Sequence, residues 1–415
     1  MNNIFDVFEK RGFIEQVTDS KLVKDLLQSS ISCYIGFDPT AKSLHAGSLL
    51  PIMSLMHLQR AGHRPIVLIG GGTALIGDPS GKTEMRPVMT RDKIDENADA
   101  LKNQLSRFID FSDGKAILVN NADWLTDLSY IPFLRDIGRH FSVNRMLTAE
   151  SYKARLETGL NFIEFNYMLL QSYDFWHLFK QYDCQLQIGG NDQWGNILAG
   201  ADLTRRIEGK IVHGLTLPLL TTSSGIKMGK THKGAVWLDP ELTSPYHYYQ
   251  YWINQDDRDV ERFLSLFTFL PMDEVQRLGT LEGADIREAK TVLAYEATRI
   301  CHGQKAAEQA GKEAQALFRT DHTSSGKPDA EGSQGPSFTL SQTELEPGIP
   351  AFILLEKAGL CQTRGEARRL ISQGGGYLNG ERIQAFDQTI DLTDLENNSL
   401  LLRAGKKRYM RIIVE

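Results

Sequence analysis

Apolar residues in the first half of the chain fall into two alternating kinds of run. Cys33–Phe37, Pro65–Ile69 and Ala116–Val119 are short and nearly continuous, and with Gln185–Ile188 their length predicts buried strands. Leu49–Arg60, Tyr130–His140 and Phe162–Tyr182 instead place apolar residues at helical intervals. Glycines punctuate the pattern: Ala61-Gly62 ends the first helix, Gly70-Gly71-Gly72 follows the second strand and Gly189-Gly190 the last. Strands separated by helices predict a parallel sheet with crossovers, whose ligands sit beyond the carboxyl ends of the strands. From Tyr246 to about Phe318, aromatic and charged residues recur at helical spacing without a strand-like run. Asp321–Ser337 is rich in Ser, Gly and Pro and almost lacks apolar residues, which is linker composition. After Pro350 a compact helix-then-strand pattern resumes. The pattern predicts three folded parts and one linker, with no internal repeat.

A length of 415 residues agrees with more than one domain. Hydrophobic content of 41% with 24% charged residues fits a globular protein in water, and no run of about eighteen apolar residues could span a membrane. The opening MNNIFDVFEKRGFIEQ mixes charges from the start, so no secretion signal is visible and a cytoplasmic location is expected. Cys33, Cys184, Cys301 and Cys361 are too scattered for a zinc site, so reduced thiols and no protein metal site are expected. A net charge of −6 argues against coating nucleic acid by bulk electrostatics. Residues 349–415, however, carry 10 basic and 8 acidic side chains, a net +2 against −8 for residues 1–348, which makes the tail the better phosphate binder.

Several segments carry groups suited to chemistry. After Tyr34 the chain leaves a strand through Asp38-Pro39-Thr40 and enters a helix near His45-Ala46-Gly47-Ser48. A helix N-terminus suits a triphosphate, Gly47 leaves room for a ring against backbone, and His45 can donate to phosphate. A histidine that merely caps the helix fits these residues equally well. Gly77-Asp78-Pro79-Ser80-Gly81-Lys82-Thr83 is not a P-loop, because three residues separate its glycines where that motif needs four. What remains is a loop whose Lys82 and Arg86 suit pyrophosphate or simply solvent. On the helix Phe162–Tyr182, Tyr167, Gln171 and Asp174 share one face among apolar neighbours. A buried phenol, amide and carboxylate must be satisfied, by the core or by a ligand. In Gly189-Gly190-Asn191-Asp192-Gln193, Asp192 can take a ribose hydroxyl or cap a helix. Small and polar neighbours predict that Gly225–Thr231 is a mobile loop, whose Lys227, Lys230 and Thr231 can close on phosphates. In the tail, Thr363 can cap a helix on which Arg364, Arg368 and Arg369 share a face, and Arg403–Arg411 holds five cations and no acid. That surface either contacts RNA phosphates or is solvated.

The region around His45 resembles the "HIGH" signature of class I aminoacyl-tRNA synthetases, and KMGKT at 227–231 resembles their "KMSKS" loop, in the right order. YIGFDPTAKSLHAGSLLP, EFNYMLLQSYDF and GGNDQWGN resemble the tyrosyl-tRNA synthetases in particular, and the tail resembles their small S4-type RNA-binding domain. Ser48, where the signature has a second histidine, and Gly229 and Thr231 depart from the generic letters.

The resemblance implies an α/β fold: a Rossmann-like parallel-sheet catalytic domain over 1–225, with a dimerisation insertion about 122–160. An α-helical anticodon-binding domain with the KMSKS loop follows over 226–320, then a flexible linker over 321–347 and the α+β S4-type RNA-binding domain over 348–415. It implies tyrosine–tRNA ligase activity with ATP and Mg2+, tRNA(Tyr) and L-tyrosine as partners, and a homodimer. Tyrosine would be held by Tyr34, Asp78, Tyr167, Gln171, Asp174 and Gln193, and ATP by Asp38, Gly47, Gly190, Asp192 and Lys230. Catalysis would involve Thr40, His45, Ser48, Lys82, Arg86, Lys227, Lys230 and Thr231, and RNA would meet Arg364, Arg368 and Arg369. Two alternatives stay open: a tryptophanyl-tRNA synthetase and a non-catalytic RNA-binding relative.

Overall fold

The computed structural model describes residues 3–80, 89–223, 225, 227–231, 234–319, 337–396, 398–405 and 408–414. The chain forms two compact units, Met1–Ala307 and Glu308–Glu415. Among the described residues no helix is long and apolar enough to cross a membrane.

The first unit is built on a six-stranded sheet: β1 (Gln16–Val17), β2 (Ser32–Phe37), β3 (Arg64–Ile69), β4 (Ile117–Asn120), β5 (Cys184–Gly190) and β6 (His213–Leu217), in the order β1-β6-β5-β2-β3-β4. All neighbours run parallel except the edge pair β1–β6. From β2 the chain winds outward through β3 and β4 on one side, while β5 and β6 lie on the other. The crevice at the carboxyl ends of β2 and β5 is therefore a topological switch point, where open α/β sheets bind ligands. Helices Leu49–Arg60 and Phe162–Tyr182 have the bounds that their apolar spacing predicts.

Three elements differ from the sequence expectation. Tyr130–His140 is a helix to Asp136 and then a separate tight turn, Gly138–His140. β5 runs on through both glycines because Gly189 and Gly190 pair with Thr216 and Leu217 of β6. β1 and β6 were not anticipated, since HGLTL has only two apolar side chains, Leu215 and Leu217, set among His213, Gly214 and Thr216, and β1 has only two residues.

Beyond the sheet, helices Pro245–Ile253, Val260–Phe267, Met272–Gly279 and Ile286–His302 follow one another. Trp252, Phe263 and Phe267 are fully buried against each other, with ring centroids 5.0–6.1 Å apart. These aromatic residues give the helices a core of their own.

In the second unit, strands Ser337–Leu340, Gly376–Leu378, Glu381–Arg382, Ser399–Ala404 and Arg408–Val414 form one sheet. Helices Ala351–Lys357 and Arg364–Ser372 are its other main elements. The linker expected over 321–347 already has structure from Ser337 onward. Leu340 is buried in this unit's core, Phe338 packs against it, and their strand runs parallel to Arg408–Val414. Residues 320–336 lie outside the described residues.

Candidate active site

A cavity of about 570 Å³ opens at the carboxyl ends of β2 and β5. Its open end is made by two turns far apart in sequence. His45 caps the turn that starts helix Leu49–Arg60, and its Nδ1 accepts from Gly47 N–H at 3.0 Å. A neutral imidazole bonded this way carries its proton on Nε2, as a donor. The turn is pinned to the chain that follows the lysine loop: Ala46 N–H donates to Val236 O at 2.7 Å and Leu238 N–H to Leu44 O at 2.8 Å.

The described residues of the lysine loop are packed, contrary to the expectation of a mobile segment. Lys227 bridges to Thr221, Met228 N–H donates to Leu220 O and Val236 N–H to Gly229 O, so its ends form a hairpin. Its turn sits directly on the His45 turn. A Cβ at Gly47 would lie 2.7 Å from Met228 O, and one at Gly229, where φ is +79°, would lie 2.4 Å from Gly47 N. Gly47 therefore makes room first for the lysine loop. Lys227 lines the cavity; for Lys230 and Thr231 the backbone alone is described, as the short strand paired with Gly234–Ala235. Lys82 and Arg86 lie outside the described residues.

The closed end is acidic. Asp174, on helix Phe162–Tyr182, is buried and accepts from Asn121 Nδ2 at 2.9 Å and Trp124 Nε1 at 2.8 Å. Burial outweighs those two bonds and pushes its carboxyl up to about 7. Tyr34 is 1% exposed, and its hydroxyl has no hydrogen-bond partner. Gln187 Oε1 is similarly buried without a partner, and both residues line the cavity. Unsatisfied polar atoms facing a cavity mark where a ligand's polar groups fit.

Between the two ends, Tyr167 Oη donates to Asp38 Oδ2 at 3.0 Å, and Thr73 Oγ1 donates to Asp38 Oδ1 at 2.9 Å. Gly70 is required there, because a Cβ would fall 2.0 Å from Asp38 Oδ1. Asp78 accepts from Ser80 N–H at 2.8 Å and Gln193 Nε2 at 2.7 Å, and Gln171 Oε1 accepts from Asn196 at 2.9 Å. Burial and the nearby Asp38 raise the Asp78 carboxyl to about 6. An acidic, desolvated wall of this kind suits a cation such as an α-ammonium group. Thr40, Ser48, Gly190 and the exposed Asp192 complete the lining nearer the opening.

The family described as tRNA synthetases class I (W and Y) matches residues 26–319, and the tyrosine–tRNA ligase SYY-like C-terminal domain matches residues 333–412. The tyrosine–tRNA ligase of Syntrophus aciditrophicus is 57% identical over 426 aligned positions covering 100% of both chains. That of Caldanaerobacter subterraneus is 53% identical, again over 100% of both. Among solved structures, a C-terminally truncated mitochondrial tyrosyl-tRNA synthetase from Aspergillus nidulans matches with a TM-score of 0.69 at 31% identity, over 77% of this chain and 95% of its own. The chain belongs to the class I tyrosyl-tRNA synthetases.

Sequence reasoning missed the residues that hold this family's site in shape. Asn121 and Trp124 orient Asp174, Thr73 fixes Asp38, and Asn196 links Gln171 to Gln193. Asn121 also accepts from Gly72 N–H at 2.7 Å, which explains the glycine run better than any nucleotide motif. The one available signal was Asn120-Asn121 at the end of a strand.

In the second unit, Thr363 caps helix Arg364–Ser372 by accepting from Glu366 N–H. Arg364 pairs with Glu356 at 3.0 Å, while the guanidinium of Arg368 lies 4.2 Å from the Phe352 ring centroid. Those two arginines are thus directed toward helix Ala351–Lys357. Arg369, five residues on from Arg364, falls about 140° around the helix from it, so the three arginines do not share the one face expected from the sequence.

Proposed function

We infer that this chain is a tyrosine–tRNA ligase: it joins L-tyrosine to ATP as tyrosyl-adenylate, releases pyrophosphate, and transfers tyrosine to the 3′-terminal adenosine of tRNA(Tyr). The observation that carries this reading is the closed end of the cavity. There a buried Tyr34 hydroxyl lacks a partner, in a pocket with an Asp174 carboxylate held as an acceptor by Asn121 and Trp124. A substrate phenol can accept from Tyr34 and donate to Asp174. Phenylalanine would leave the Tyr34 hydroxyl unsatisfied, at about 1–3 kcal/mol, and would deny Asp174 the phenol's hydrogen bond. Tyrosyl-tRNA synthetases are the established example of selection by this means.

The residues that line the cavity take roles suggested by their positions, and Lys82, Arg86, Lys230 and Thr231 take theirs from the resemblance alone. The α-ammonium group fits against Asp78, Tyr167 and Gln171, with Gln193 beside them. Asp38 and Asp192 suit the ATP end, and Gly47 and Gly190 allow close approach of the nucleotide. The tyrosine carboxylate, already ionised, attacks the α-phosphorus without a general base. A carboxyl–phosphorus bond forms, the bond to the bridging oxygen breaks, and pyrophosphate leaves with the electron pair. Thr40, His45 and Ser48 are placed to meet phosphate oxygens, while Lys82, Arg86, Lys227, Lys230 and Thr231 offset the charge that develops on pyrophosphate. The terminal adenosine hydroxyl then attacks the tyrosyl carbonyl, and AMP leaves.

Magnesium enters as the ATP complex. Among the described residues no group of three or more His, Cys, Asp or Glu could hold a metal, and phosphate oxygens bind magnesium without a protein cage. A homodimer is supported by apolar side chains left open in and beside the 122–160 insertion, with Tyr130 60%, Ile131 70% and Phe162 66% exposed. We assign the helices after residue 226 to the anticodon, the S4-type unit with Arg364, Arg368 and Arg369 to tRNA, and the protein to the cytoplasm.

Amino-acid-dependent exchange of labelled pyrophosphate into ATP tests the reading, run with tyrosine, tryptophan and phenylalanine. Exchange with tyrosine alone is expected. Exchange driven by tryptophan would make the chain a tryptophanyl enzyme, and none at all would leave an RNA-binding relative.

A further inference from the structure

The lysine loop is gripped from behind by the helical region. Gly229 stands at a positive-φ turn, and its N–H donates to Tyr251 Oη at 3.1 Å, where its neighbours bond to backbone. Tyr251 lies on helix Pro245–Ile253, edge-on to the buried Trp252 at 5.3 Å, so its ring is set by the aromatic core. The opposite arm of the hairpin is held as well. Ser223 N–H donates to Asp259 Oδ2 at 2.7 Å, and Arg262 donates to Thr221 O and, at 3.3 Å, to Asp259 Oδ1. Asp259 is only 4% exposed, so its bond to Ser223 is a desolvated, charge-assisted one. Three side chains from three consecutive helical elements thus fix a hairpin whose own ladder is short. None of the three lines the cavity.

We propose that Tyr251, Asp259 and Arg262 are positioning residues for adenylate formation, a clamp that seats the lysine-bearing hairpin on the His45–Gly47 turn. This rests on the reading that the hairpin serves that step. The clamp acts through the loop, so it governs the rate at which phosphate charge is met and leaves the tyrosine pocket untouched. It also gives the helical region a direct mechanical hold on the catalytic loop. A shift of helix Pro245–Ile253 relative to the sheet would move Gly229 with it.

The full-length protein carrying Tyr251→Phe tests this, since only one hydroxyl is lost. In single-turnover measurements at saturating tyrosine and ATP, adenylate formation is expected to slow about 2- to 10-fold, the effect of one neutral hydrogen bond. Tyrosine affinity, read separately by equilibrium dialysis, is expected to stay at the parent value. Arg262→Ala, at a partly exposed guanidinium, is expected to show the same split and guards against a folding defect in the first variant. Asp259→Asn, which keeps an acceptor oxygen, is expected to retain more of the rate than Asp259→Ala. Combined with Lys230→Ala, Tyr251→Phe is expected to add less than its separate effect, because both act through one loop. Parent rates in Tyr251→Phe and Arg262→Ala, or tyrosine affinity falling in step with rate, would overturn the clamp. So would full multiplication with Lys230→Ala. A parent protein that forms no tyrosyl-adenylate in the same assay would overturn the functional reading, and the clamp with it.

Discussion

Asp174 is a carboxyl group in a place that disfavours its charge, and Asn121 and Trp124 only partly offset the burial. Asp174→Asn is expected to impair tyrosine use far more than ATP binding, because it changes the acceptor proposed for the phenol. Tyr34→Phe is expected to erode preference for tyrosine over phenylalanine by about 0.5–1.5 kcal/mol, one neutral hydrogen bond. Ratios of kcat/KM for the two amino acids check both, and an unchanged ratio in both variants would remove these residues from the pocket. Asp174 and Asp78, the two carboxyls raised by burial in the pocket, set a pH dependence. Asp174 at about 7 and Asp78 at about 6 both lie above the ordinary value of 3.8, so each is ionised only above its raised pKa. Tyrosine affinity is therefore expected to be full at pH 8 and to weaken as pH falls through 7 and 6. Tyrosine dissociation constants across that range check it, with Asp78→Asn losing the lower step. Residue types and helical spacing made Tyr167, Gln171 and Asp174 legible in the sequence. The partners of Asp174 were not, because they lie some 50 residues away on the chain, and only folding brings them together.

At the scale of elements, strands and helices with continuous or periodic apolar patterns were readable, and those shaped by pairing were not. β6 exists because β5 and β1 bond to it on either side, which no local pattern records. Gly225–Thr231 read as a mobile loop for the same reason: its order comes from Leu220, Val236 and Tyr251. The contact between the two signature turns makes a prediction at this scale. Gly229→Ala forces a side chain into a φ of +79° and into Gly47 N at 2.4 Å, so the hairpin must lift from the His45 turn. Adenylate formation is expected to fall about tenfold or more, if the strain of about 1–2 kcal/mol is relieved by that displacement. Tyrosine affinity is expected to hold. Lys230→Ala is expected to give the same split, since an ammonium meeting pyrophosphate contributes to the transition state more than to the ground state. Single-turnover rates beside tyrosine binding measure both; parent rates would mean that the hairpin has no part in the chemistry.

At the scale of the whole molecule, the Ser, Gly and Pro content of Asp321–Ser337 marked a linker, but the second unit begins at Glu308 and its strand Ser337–Leu340 lies inside the 321–347 assigned to that linker. Phe338 and Leu340 already belong to the core of the second unit, so a cut there would strip a strand from the C-terminal sheet. The informative truncation ends the chain after Arg319, where the helix Gln304–Arg319 stops. Every described residue lining the cavity lies at or before Trp237, and the aromatic core behind the lysine hairpin lies before residue 303. The shortened protein is therefore expected to fold and to form tyrosyl-adenylate at a rate near the parent's. Charging of tRNA is expected to fall, with the loss in apparent tRNA affinity, because the unit with the net positive tail is gone. Cation–phosphate contacts release counterions, so the parent's tRNA affinity is expected to drop more steeply with added salt than the truncated protein's. Aminoacylation measured over a range of salt concentrations decides the matter. Equal charging by the two proteins at every salt concentration would mean that the C-terminal unit does not hold the tRNA.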